Sequence, residues 1–238
     1  MSEMLLDTID LPGARAVFST RVGGVSEGPY SSLNLGILTD DDPGRVAENR
    51  RRAAHAAGLE PGAIAMGWQV HGTEIRKWDR PGPAYASPGT DLPRVDGHLT
   101  ERPRLGILVL VADCFPVALA GGGRVAILHC GWRGLAGGIV ARALSSFEDP
   151  PAAAVGPGIG ACCYEVGDEV RERFTGVEGA VRGRMLDLRT VVQHELRDGG
   201  VESISHLDRC TSCREDLYFS HRRDGGVTGR QSGLVLRA

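Results

Sequence analysis

The sequence predicts a mixed α/β domain: a mixed sheet flanked by helices. Three features of the chain lead there. Short apolar runs rich in branched residues recur along it, as buried strands require. Four segments carry helix start and stop signals. The strand candidates at Leu105, Val117 and Val125 are separated by breaks too short for a crossover, so they predict hairpins and exclude purely parallel winding. At 238 residues, the span 1–238 is expected to form a single domain.

The elements follow in order. Alternating residues make 14–20 the first strand candidate. Asp42-Pro43 supplies an N-cap and a first-turn proline for a helix that ends near Gly58. Strands are expected at 66–70, 74–78, 105–111, 117–120 and 125–128. A Pro- and Gly-rich stretch at 79–90 reads as a surface loop within the domain. A second helix is expected from Gly134 to about Phe147, then a strand at 152–155 and a short helix from Asp168 to Phe174. The last helix starts at Asp187, lines up Leu188, Val191, Val192 and Leu196, and stops at Gly199. A final strand covers 234–236.

Composition narrows the function. The net charge is -3, and no run of Lys and Arg interleaves with aromatics, so nucleic acid is not an expected partner. The longest apolar run, 105–112, is too short for a bilayer, which takes about 20 residues. The acidic N-terminus lacks a secretory pattern, so a cytoplasmic location is expected. No apolar heptad or stripe calls for a partner chain, so a monomer is expected. The six cysteines read as free thiols in a reducing compartment.

The chemistry concentrates at the ends of three runs. Leu108-Val-Leu-Val-Ala-Asp-Cys114-Phe-Pro delivers a thiol, and Pro116 interrupts strand pairing beside it. Val125-Ala-Ile-Leu-His129-Cys-Gly-Trp132-Arg133-Gly delivers an imidazole, then an aromatic face for a base or sugar and a guanidinium fork for phosphate or carboxylate. Met66-Gly-Trp-Gln69-Val-His71-Gly delivers a second imidazole. Each residue taken alone reads as a packed thiol or a satisfied histidine. Together they read as one site of two types. Three N and S ligands with an open fourth position suit catalytic zinc. A cysteine nucleophile with its histidine base uses the same atoms.

The remaining motifs are weaker. Cys210-Thr-Ser-Cys213 is a CxxC with no second CxxC. The adjacent Cys162 and Cys163 do not form such a pair, so the motif reads as structural. The Gly-rich segment 18–36, with Arg21 and Asn34, and the segment 219–230, with Arg222, Arg223 and Arg230, read equally as anion cradles or as solvated loops.

The motifs quoted so far resemble the YfiH-type laccase-domain proteins, also called the peptidoglycan editing factor or polyphenol oxidase family. Phe-Ser-Thr-Arg21, Ser-Leu-Asn34-Leu-Gly, Gln69-Val-His71-Gly, Asp96-Gly-His-Leu-Thr100, Ala112-Asp-Cys114-Phe-Pro, His129-Cys-Gly-Trp-Arg133-Gly, Cys-Cys-Tyr164-Glu165-Val-Gly and Thr-Gly-Arg230 carry the resemblance in order, over residues 17–230. It implies an α+β fold, a four-layer α/β/β/α sandwich with mixed sheets, akin to cysteine-hydrolase-like toxins. It implies Zn2+ held by His71, Cys114 and His129, which are also the catalytic candidates, with copper as the alternative. The implied activity is phosphorolysis of purine nucleosides (adenosine, inosine, guanosine, 5'-methylthioadenosine), with adenosine deamination beside it. Substrate and phosphate are expected on Arg21, Asn34, Gln69, Trp132, Arg133 and Arg230, and Glu165 or Asp113 is expected to shuttle protons. The resemblance also implies removal of wrongly built peptidoglycan precursors. A copper polyphenol oxidase and a metal-independent Cys-His hydrolase or amidase are the other readings. Two departures stand out: Cys130 replaces the usual Ala, where its sulfur could reach the metal, and His221 replaces the usual Tyr.

Overall fold

The computed structural model describes residues 5–82, 85 and 92–238. Most of the expected loop 79–90 therefore lies outside the described residues. In chain order come β1 (Leu6–Leu11), β2 (Ala14–Ser19), α1 (Pro43–Ala56), β3 (Ile64–Ala65), β4 (Ile75–Lys77), β5 (Gly97–Thr100) and β6 (Gly106–Val111). Then follow β7 (Phe115–Gly121), β8 (Arg124–Cys130), α2 (Trp132–Ala136), α3 (Ile139–Leu144), β9 (Ala152–Val155) and α4 (Asp168–Arg171). The chain closes with β10 (Val181–Arg182), β11 (Met185–Leu186), α5 (Leu188–Asp198), β12 (Ile204–His206) and β13 (Gln231–Arg237).

Two mixed sheets result. The five-stranded sheet runs β1-β2-β13-β6-β3 and the six-stranded sheet runs β12-β9-β7-β8-β5-β4. The β10–β11 hairpin stands apart. In the first sheet β13 pairs antiparallel with both β2 and β6, and β3 lies parallel to β6. In the second, β7 pairs antiparallel with β8 and β9, while β12 on β9 and β4 on β5 are parallel.

The sheets face each other across a core in which Phe18, Ile107 and Val109 meet Ala118, Ile127 and Ala154. On the outer face of the second sheet, Leu135, Ile139, Val191 and Leu196 of α2, α3 and α5 pack on Val117, Leu128 and Val155. On the outer face of the first, Ala54 of α1 and Leu59 join Val17, Leu108 and Leu234. Each Val, Leu, Ile or Phe among them contributes about 1.5–3 kcal/mol when fully buried. The result is an α+β protein with helices outside two mixed sheets.

Several elements match the expectation. Asp42 caps α1 by accepting from the Arg45 N–H at 2.9 Å, and Asp187 caps α5 through Arg189 and Thr190. Other expectations need correction. The strands at 105–111 and 117–120 do not form a hairpin, because β6 and β7 lie in different sheets and the chain crosses between them at residues 112–114. Pro116 lies inside β7, opposite His129, just before the pairing with β9 begins at Val117. The run 66–70 is not a strand; only Ile64–Ala65 pairs, and Trp68 makes an isolated bridge to Arg94. The expected helix 134–147 starts earlier and is broken in two at Gly137 and Gly138, the latter left-handed with φ 84°. The strands β1, β5 and β12 escaped the pattern because each is short or pairs along a sheet edge or across polar residues.

Candidate functional site

The crossover between the sheets supplies the first candidate ligand. Cys114 sits at its end, immediately before β7, preceded by Asp113 with φ 89°. His129 is the penultimate residue of β8, and its neighbour across β7 is Pro116. His71 sits in a loop, not at a strand end, with φ 59°. A left-handed conformation costs a non-glycine residue of order 1 kcal/mol or more. The ligand atoms of His71, Cys114 and His129 all lie within 4.8 Å of one another. The two imidazole rings meet edge-on, 4.7 Å apart at their centroids.

Asp96, just before β5, holds both histidines. Its Oδ1 accepts from Nδ1 of His129 at 2.8 Å and from the backbone N–H of His71 at 2.9 Å. Its Oδ2 accepts from the N–H groups of Val70 and Gly72 at 3.0 and 2.7 Å. These bonds offset the strain at His71. They also occupy Nδ1 of His129 and so leave Nε2 as its candidate ligand atom, the role that carboxylates play behind metal-ligating histidines. Burial alone would push the Asp96 carboxyl up; the bonds from His129, Gly72 and Val70 hold it below the usual range.

The cysteine and histidine titrate as a pair. Burial opposes ionisation of Cys114, yet the His129 imidazolium and hydrogen bonds from His129 and His71 bring its thiol down to about 6. Burial likewise disfavours charge on His129, but the Cys114 thiolate and Asp96 raise it to about 9. This is a thiolate ready to bind a metal or attack a carbon.

The donor set fits a metal ion. Two nitrogens and one sulfur suit zinc, whose bonds to them run about 2.0–2.3 Å. Gly131 makes room: a Cβ there would lie 3.0 Å from Cys114 Sγ and 3.1 Å from His71 Cδ2. Among the described residues one further cluster could hold a metal, formed by Cys162, Cys163, Cys210 and Cys213. The CxxC thus does have a partner pair in space, although adjacency in sequence argued against it.

The three ligands line a cleft of about 500 Å³, within the size range of small-molecule sites. Gln69, Trp132, Arg133 and Arg230 line it as well. Gln69 clamps Leu110, donating to its carbonyl at 2.7 Å and accepting from its N–H at 2.8 Å. The Arg133 guanidinium stacks 4.4 Å from the Trp132 ring. Arg230 donates to the carbonyls of Thr228 and Gly229, and burial pulls its pKa down.

Arg21 and Asn34 do not line the cleft. Arg21 donates to the carbonyls of Ser31 and Glu215 and stacks on Phe219. Asn34 is buried, donates to Thr39 and Asp41, and accepts from the N–H groups of Gly36 and Arg230. Both act as scaffold. Glu165 pairs with Arg184 at 2.7 Å and does not line the cleft either. Asp113 does, but both its oxygens are engaged, by Thr211 Oγ1 and by the Arg222 N–H, each at 2.7 Å. Cys130, beside His129 in sequence, points to the opposite face of β8 and packs under the helices; burial pushes its thiol well up, and it is not part of the metal cluster. Alternation along the strand accounts for that.

Tyr164, His221 and Arg222 complete the walls. Burial, then the Cys114 thiolate, raises the Tyr164 hydroxyl to about 12, and Arg222 stacks 5.0 Å from its ring. Sequence reasoning left Tyr164, His221 and Asp96 out of the site and named Arg222 only in a possible anion cradle. Their only signal was membership in the motifs of the resemblance.

Comparison with known proteins agrees with this architecture. Residues 15–238 match the family model described as multi-copper polyphenol oxidoreductase laccase. The Shigella flexneri protein named purine nucleoside phosphorylase YfiH is 38% identical over 249 aligned positions, covering 99% of each chain. Purine nucleoside phosphorylase YlmD of Geobacillus stearothermophilus is 35% identical, covering 94% of this chain and 90% of its own. The crystal structure of YlmD from that organism superimposes with a TM-score of 0.89, over 95% of this chain and 93% of the other. The chain therefore belongs to the laccase-like family that these YfiH and YlmD proteins represent.

Proposed function

We propose that this protein is a zinc-dependent purine nucleoside phosphorylase acting on adenosine, inosine, guanosine and 5'-methylthioadenosine, with adenosine deamination as a second activity. The single observation that carries the reading is a three-ligand N and S centre in a cleft that also holds aromatic faces and guanidinium groups. The names of the relatives support it.

In phosphorolysis an oxygen of inorganic phosphate bonds to the ribose anomeric carbon. The bond from that carbon to the purine nitrogen breaks, and its electron pair leaves with the base, which takes up a proton. Ribose 1-phosphate and free purine result. Arg133 and Arg222 are the phosphate ligands, because their forks match a tetrahedral dianion. Arg230 adds a buried positive charge. Trp132 and Tyr164 supply faces against which the purine stacks. Asp113 holds the backbone of Arg222, and Asp96 holds both histidines. A zinc ion on His71, Cys114 and Nε2 of His129 would supply Lewis-acid polarisation of substrate oxygens. We take the protein as a monomer acting on small molecules in the cytoplasm, on a four-layer α/β/β/α sandwich of cysteine-hydrolase-like type. Editing of peptidoglycan precursors would be a further use of the same cleft.

One observation favours a second reading. The Cys114–His129 pair, with values near 6 and 9, is also what a cysteine hydrolase or amidase needs. Copper polyphenol oxidation fits less well, since the second cluster among the described residues is all thiol and offers none of the histidines that multicopper sites use. Inosine incubated with the metal-quantified protein, with and without phosphate, tests the choice. Phosphate-dependent hypoxanthine and ribose 1-phosphate, lost together with metal in Cys114→Ala, support the phosphorylase. Activity that survives chelation but not thiol alkylation supports the hydrolase, and oxygen uptake with phenols supports the oxidase.

A further inference from the structure

The four cysteines outside the cleft come from two turns that the fold stitches together. Gly158 and Cys210 form a parallel bridge, and the Thr211 N–H donates to the Gly158 carbonyl at 3.1 Å. The Gly160 N–H donates to Cys210 Sγ at 3.2 Å. Cys163 N–H closes the first turn on the Gly160 carbonyl, and Arg214 N–H closes the second on the Cys210 carbonyl. All four sulfurs lie within 4.8 Å of one another; Cys213 Sγ is 3.5 Å from Cys162 Sγ and 3.4 Å from Cys163 Sγ.

These separations discriminate between uses. A disulfide needs about 2.0 Å between sulfurs. A zinc ion about 2.3 Å from four sulfurs sets them about 3.8 Å apart in a tetrahedron. We propose that Cys162, Cys163, Cys210 and Cys213 form a closed tetrathiolate zinc site, separate from the His71–Cys114–His129 centre and structural in purpose.

The surroundings suit that charge. The Gly160 N–H aimed at Cys210 Sγ is a bond of the kind that stabilises metal thiolates. Gly160 allows the close approach, since a Cβ there would lie 3.2 Å from Cys162 Sγ and 3.5 Å from Cys210 Sγ. Arg223, itself paired with Asp224, donates to the carbonyls of Thr211 and Ser212 and braces the CxxC turn. With four thiolates bound, the site has no open position, so it fastens rather than catalyses.

What it fastens is the wall of the cleft. Cys163 precedes Tyr164, and Thr211, inside the CxxC, donates to Asp113 beside Cys114. The ion would hold both turns in register with the first centre.

Zinc content measured in four purified full-length proteins tests the proposal: the parent chain, Cys114→Ala, Cys213→Ser, and the double variant. Cys213→Ser is expected to remove about one zinc equivalent from the parent and from Cys114→Ala alike, whatever the first centre binds. Cobalt titration of Cys114→Ala should give the intense visible and thiolate-to-cobalt bands of a tetrahedral sulfur site, and these should vanish in the double variant. Equal metal content with and without Cys213, iron in place of zinc, or a Cys162–Cys213 or Cys163–Cys213 disulfide in protein kept under reductant would overturn it. The cobalt spectrum of Cys114→Ala answers even if the serine variant does not fold.

Discussion

At the scale of single residues the site is organised by a group that is not a ligand. Asp96 spends both oxygens on four donors, three from the backbone around His71 and one from His129. Asp96→Ala should weaken zinc binding about 10- to 100-fold, read by competition with a chelator of known affinity. The sulfur of the metal-stripped protein has its own test. Its alkylation rate should rise with pH through a midpoint near 6 and level off above it, because the thiolate is the reactive form. In His129→Ala the midpoint should move up, since burial then acts with its main opposing charge gone. That His71, Cys114 and His129 belong to one site was legible because three runs stop at or near them, and the fold brings their side chains within 4.8 Å of one another. Asp96 was not, because an aspartate before glycine reads as a turn residue until its donors, 24 to 33 positions away, are seen. That Arg21 and Asn34 lie off the cleft was not legible either, because a Gly-rich polar segment does not reveal which way its side chains face.

At the scale of elements, helix ends and the β7–β8 hairpin were legible and the longer-range strand partners were not. Asp42 and Asp187 announce α1 and α5 by local chemistry alone. The assignment of β6 and β7 to different sheets depends on contacts distant in sequence, which no local spacing encodes. Helix α5 carries a consequence of burial. Glu195 is raised to about 7 by desolvation, and its Oε2 has no hydrogen-bond partner among the described residues. A raised carboxyl binds its proton more tightly folded than unfolded. Stability from this group is therefore full below pH ~4.5 and falls as pH rises to about 7, by on the order of 1–3 kcal/mol. Urea melts across that window should show the decline, and Glu195→Gln should flatten it. At the start of α2, Gly131→Ala should cost metal affinity while leaving the far-UV spectrum intact, since its methyl would press on Cys114 and His71.

At the scale of the whole molecule, glycines let the two sheets approach each other closely. A Cβ at Gly233 would meet Pro116 Cβ at 2.4 Å, and one at Gly156 would meet Phe18 Cδ1 at 2.4 Å. Gly233→Ala should destabilise the fold by about 1–3 kcal/mol, seen as a lower denaturation midpoint with an unchanged slope. That closeness fixes the crossover carrying Cys114 relative to β8 carrying His129. Strand β13 holds the arrangement together from an unexpected position: last along the chain, it lies between β2 and β6. During synthesis the ribosome releases the three ligands long before the strand that completes their scaffold. A stop before β13 or a protease cut within it would therefore not trim a border. It would draw out the keystone, leaving a nascent chain with reactive sulfur and nowhere to shelter it.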